Sequence, residues 1–111
     1  MNDKLLVIIG SSDVDKANTG MMYALNALKN RWMEEVKVVF FGPSEKVLLE
    51  NPDLQNLLEE YQNIGGVSSA CKFISDRDEL SPSINSPGVK VEFVGRLISN
   101  LVKEGYVPMV W

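Results

Sequence analysis

Leu5-Leu6-Val7-Ile8-Ile9 is an unbroken apolar run closed by Gly10-Ser11-Ser12-Asp13. Such a run suits a strand buried on both faces, as in a parallel sheet covered by helices. The period then changes. Ala17, Met21, Ala24, Leu25, Leu28 and Trp32 recur at three- and four-residue spacing and predict a helix with one apolar stripe, capped by Asp15 or Asn18. Val36 to Phe41 predicts a second strand, stopped by Gly42-Pro43, where the ring cannot donate to a ladder. These segments form a βαβ unit.

Ser44 can cap a short helix through Leu49, which Pro52 interrupts, and Asp53 can cap another in which Leu54, Leu57, Leu58 and Tyr61 share a face. Gly65-Gly66 ends it, and Val67 to Cys71 predicts a third strand, diluted by Ser68 and Ser69. From Phe73 to Gly88, punctuated by Ser81-Pro82-Ser83 and Ser86-Pro87, a short helix followed by an irregular loop is expected. Val89 to Val94 alternates as a strand. A helix carrying Leu97, Ile98, Leu101 and Val102 follows and ends near Gly105, and Tyr106 to Trp111 predicts the last strand. The alternation predicts a single α/β domain over 1–111: a mainly parallel sheet of about five strands with helices on both faces.

Composition narrows the chemistry. The chain has 111 residues, 45% hydrophobic, enough for one ordinary core without a metal or disulfide staple. Histidine is absent, which removes Ser-His-Asp and Cys-His pairs, His-ligated metals and His-based pH switches from a single chain. One cysteine, Cys71, removes internal disulfides and thiolate clusters. A net charge of −4 without clustered Lys or Arg argues against nucleic acid or an anionic membrane as partner. The N-terminal apolar run is too short to span a bilayer and lacks the pattern of a signal peptide, so a cytoplasmic location is expected.

Ligands of such sheets bind beyond the carboxyl ends of the strands. Three segments fall there: Gly10 to Asp15, Gly42 to Ser44, and Cys71 to Asp76. Cys71 closes the third strand where a helix can begin, and Lys72 and Arg77 are cations able to favour its thiolate. A free cysteine is also among the residues most often buried as a small hydrophobe, and both readings stay open. Gly10 to Gly20 contains neither GxxxxGK[ST] nor GxGxxG, so a nucleotide or flavin site has little support, although Ser11, Ser12 and Asn18 can line a pocket for a small anion. Asp13 and Asp15 read as helix-start residues, and no metal or cofactor is assigned. Trp111 and the Met21-Met22 helix are candidates for subunit contacts.

The opening strand to Gly10, the helix with Gly20 and Ala24, Val36 to Gly42, the Gly65-Gly66-Val67 turn, the cysteine closing the third strand and the ending Gly105-Tyr106-Val107-Pro108-Met109-Val110-Trp111 together resemble the DsrE/DsrF-like family. The resemblance covers nearly the whole chain and rests on order and spacing. It implies a flavodoxin-like three-layer sandwich, assembly into trimers or hexamers, and, as in the sulfur-carrying members, a persulfide on Cys71 supplied and removed by partner proteins. The chain departs from the family at Lys72 and Phe73, where a small residue often follows the cysteine. The alternative function is a non-catalytic homo-oligomer that binds a small anion or a protein at the same sheet edge.

Overall fold

The computed structural model describes residues 3–71 and 89–111, and the expected helix and loop between Phe73 and Gly88 lie outside them. The elements run β1 (Lys4–Ile9), α1 (Val14–Lys29), β2 (Glu35–Phe40), α2 (Ser44–Glu50), α3 (Pro52–Asn63), β3 (Val67–Cys71), β4 (Lys90–Glu92), α4 (Val94–Lys103) and β5 (Val107–Val110). All five strands are parallel, in the order β4-β3-β2-β1-β5. The chain therefore steps one way along the sheet from β1 to β4 and returns past β1 to β5. Right-handed crossovers place helices of opposite steps on opposite faces. Accordingly α1, α2 and α3 cover one face and α4 the other, a flavodoxin-like three-layer sandwich.

Each face has its own core. Leu5, Val7, Ile9, Val36, Val38 and Phe40 meet Met21, Ala24, Leu54, Leu58 and Tyr61 of α1 and α3. The alternate residues Leu6 and Val39, with Cys71, meet Val94 and Leu101 of α4 and Tyr106, flanked by Ile8, Leu97 and Ile98. Tyr61 fastens α3 to the sheet: its hydroxyl lies 3.0 Å from the Val36 carbonyl and 2.8 Å from that of Val67, and accepts the Val67 N–H at 3.2 Å. Burial raises the pKa of this phenol, so the group holding the bolt is the neutral hydroxyl. The ring presses so closely on Gly66 that no side chain fits there.

Several boundaries differ from expectation, each for a local reason. Asp13, and neither Asp15 nor Asn18, caps α1 by accepting the Lys16 N–H at 3.1 Å. Asn51 caps α3 by accepting from Leu54 N at 2.8 Å, because Pro52 occupies the first helical position and moves the cap two residues back from Asp53. Trp32 lies beyond the end of α1 and is 60% exposed. Strand β4 is shorter than the alternating run, since Val94 turns into the first turn of α4 and packs in the second core. Gly105, at φ 97°, makes the left-handed turn expected before β5.

Candidate functional site

At the carboxyl edge, β1 is flanked by β2 and β5, and the direction of chain progress reverses there. A doubly wound sheet usually opens a ligand crevice at this position. Here the β1–β5 ladder runs on past the strand ends: Gly10 N–H donates to the Trp111 carbonyl at 2.8 Å, and Trp111 N–H donates to the Ile8 carbonyl at 2.8 Å. The Trp111 indole turns onto α1 over Gly20, with Tyr23 at a ring separation of 6.3 Å. Trp111 is thus half-buried against its own chain, while Met22 on α1 stays 48% exposed.

The predicted pocket residues of the first loop do not converge. The Ser11 hydroxyl accepts the Asp13 N–H at 3.0 Å as part of the α1 start, and Ser12 is exposed. Asn18 turns away from both. Its amide donates to Asn51 Oδ1 at 3.4 Å, and it lines an open groove of about 590 Å³ between α1 and α3 with Asp15, Asp53 and Glu60. Those carboxylates stay apart, and among the described residues no group of His, Cys, Asp or Glu is placed to hold a metal ion.

After β2, Ser44 and Glu45 are both fully buried. The Ser44 hydroxyl donates to the carbonyls of Ile9 and Phe41, tying the start of α2 to the ends of β1 and β2. Glu45 is a buried carboxylate at the strand ends that sequence reasoning missed, since an acid in a first helical turn reads as ordinary dipole complementarity.

Cys71 closes β3 as expected and points to the α4 side of the sheet. It is 6% exposed and packed in the cluster of Leu6, Val39, Val94 and Leu101. Lys72 and Arg77, the cations expected beside it, lie outside the described residues. The described polar neighbour is Glu92, which faces Cys71 across the β3–β4 ladder and accepts the Ser69 hydroxyl at 2.7 Å. Glu92 was also missed: in an alternating run it reads as the solvent side of a strand. At the amino end of the same face, Tyr106 donates to Glu35 at 3.1 Å, and burial together with that carboxylate pushes its pKa up to about 12.

Among the described residues no helix is long and apolar enough to cross a membrane. No family model matches the chain, and no curated protein matches it. Among solved structures, a conserved protein of unknown function from Bacteroides thetaiotaomicron is similar to it, with a TM-score of 0.89, 23% sequence identity, and coverage of 98% of this chain and 95% of that one. The same α/β sandwich is therefore built from two sequences that share under a quarter of their residues.

Proposed function

We propose that this chain is a cytoplasmic DsrE/DsrF-like sulfur carrier that holds sulfur as a persulfide on Cys71 and works as a homo-oligomer, a trimer or hexamer. The observation that carries the reading is the place of Cys71: the last residue of β3, at the carboxyl edge of a parallel sheet, with the Glu92 carboxylate as its ladder neighbour. Among the described residues no histidine or lysine stands next to Cys71 in the ladder, so the thiol proton leaves to the incoming donor or to water. The Cys71 thiolate attacks the outer sulfur of a donor persulfide, R–S–SH. A new Sγ–S bond forms as the donor S–S bond breaks, and its electron pair leaves on R–S⁻. An acceptor thiolate then takes the outer sulfur in the same way and restores the Cys71 thiolate. Sulfur stays at one oxidation level throughout, so no oxidant or reductant is consumed. The homo-oligomer is what the resemblance to the family implies.

The burial of Cys71 favours a second reading, a non-catalytic oligomer that binds a small anion or a protein at the same edge, with the thiol as packing. Alkylation of native protein against denatured protein separates the two. A sulfur carrier reacts while folded, and gains the mass of one sulfur atom from a small-molecule persulfide unless Cys71 is replaced by Ser. A thiol that reacts only after unfolding removes the carrier mechanism and leaves the second reading.

A further inference from the structure

The face of the sheet under α4 carries a polar group where the fold calls for an apolar one. Strand β2 lies inside the sheet, between β1 and β3, and a central parallel strand covered on both faces reads as a continuous apolar run. Val36, Val38 and Phe40 obey, all packed in the first core. Lys37 alternates with them, so it points the other way, towards α4. Among the described residues it has no ion pair; the two salt bridges present are Lys4–Glu35 and Lys29–Glu60.

Lys37 reaches a cavity of about 340 Å³ between the sheet and α4, within the size range of small-molecule sites, roughly 300–1,000 Å³. Val39, Leu97 and Leu101 form its apolar walls. Ser69, on β3, is 4% exposed and gives its hydroxyl hydrogen to Glu92. Lys90, one register step from Ser69 on the edge strand, adds a second ammonium to the lining. The remaining charged group of the cavity, Glu104, stands at the C-cap of α4, and the Tyr106 hydroxyl is turned to Glu35. Glu92 accepts the Ser69 hydroxyl and Glu104 stands at the far end of the lining, and among the described residues Lys37 is paired with neither.

We propose that this cavity is a binding site for a small organic anion, a carboxylate with a compact apolar body, whose charge is taken by Lys37 and whose body lies against Val39, Leu97 and Leu101. The site lies under α4 and is separate from the carboxyl-edge loops around Ser11 and Ser12, so it does not depend on persulfide chemistry at Cys71. A half-buried lysine that lines a pocket and is held in no ion pair among the described residues keeps its donors for a carboxylate, which they bind as charge-assisted hydrogen bonds.

The test is a backbone-amide NMR titration of the full chain with benzoate, benzamide and benzylamine, which share a ring and differ in charge. Benzoate is expected to give saturable shifts at Val39, Ser69 and Leu101 and to bind about tenfold or more tightly than benzamide, a difference of about 1.4 kcal/mol. Lys37→Met, which keeps the aliphatic stem, should remove that preference, and Lys37→Arg should retain it. Equal binding of benzoate and benzamide, tighter binding of benzylamine, or an absence of saturable shifts at these amides overturns the proposal. The comparison of the three probes on the unaltered chain decides the matter even if Lys37→Met does not fold. Loss of the carrier mechanism at Cys71 leaves this result untouched, and the reverse holds too.

Discussion

Replacing Gly20 by Ala tests the packing of Trp111. In an exposed helix interior that substitution stabilises by about 1 kcal/mol, because alanine restricts the unfolded backbone more than glycine does. At Gly20 an added Cβ would stand 2.6 Å from Trp111 Cγ and 2.9 Å from its Cβ, closer than atoms pack. Relieving such a clash in a packed region costs about 1–3 kcal/mol, so the net expectation is a loss of roughly 1 kcal/mol. Urea unfolding reads it as a lower midpoint at unchanged m-value. The companion arm uses Trp111→Ala as background. With the indole gone, Gly20→Ala should regain its ordinary sign, which makes the two residues coupled by about 2 kcal/mol in a double-mutant cycle. Tryptophan emission adds a second readout once the exposed Trp32 is replaced by Phe, because a displaced Trp111 shifts to the red. Stabilisation by about 1 kcal/mol from Gly20→Ala with Trp111 in place would refute the arrangement.

Tyr61→Phe removes the partner of the Val67 N–H and of two carbonyls and should cost about 1–3 kcal/mol, measured by the same unfolding assay. The pH dependence has a fixed sign. Tyr61 and Tyr106 titrate near 10.0 when unfolded and higher when folded, so the stability they contribute is complete below about pH 10 and is lost as pH rises towards and beyond 12. Thermal scans across that window should show the fall, and Tyr61→Phe should lessen it. Asn51→Ala should cost about 1 kcal/mol through loss of the α3 cap, and more than Asp13→Ala, because Asn51 also receives the Asn18 amide while the Asp13 cap is exposed.

The layers and the sheet direction were legible because they rest on periods: an apolar run at Leu5–Ile9, a stripe in α1 and glycine at the turn before β5. Cap positions were less legible, since Asp13, Asp15 and Asn18 are all competent caps and only backbone geometry chooses among them. The carboxyl edge was legible as a place and not as a pocket. Asn18 shares a loop and helix start with Ser11 and Ser12, but helical rotation carries it to the α3 side of α1. Burial of Glu45 was invisible because it depends on how α2 seats against the ends of β1 and β2, a tertiary fact with no local period.

The two faces of the sheet differ in a way that bears on function. Ser68, the polar β3 residue on the α1–α3 side, is met by the Gln62 amide at 3.4 Å within an otherwise apolar core. Ser69, Cys71, Lys37, Lys90 and Glu92 all belong to the α4 side. A strand sequence such as Val67-Ser68-Ser69-Ala70-Cys71 is a weak strand former, and a lysine inside β2 adds a desolvation cost that a valine would avoid. These departures fall on three adjacent strands, and they meet at one cavity and one thiol. Replacing Lys37 by an apolar residue should therefore leave the fold as stable or more so while ligand preference is lost, the opposite of what Tyr61→Phe does. That opposition separates the residues that hold this sheet together from those that give it a chemistry.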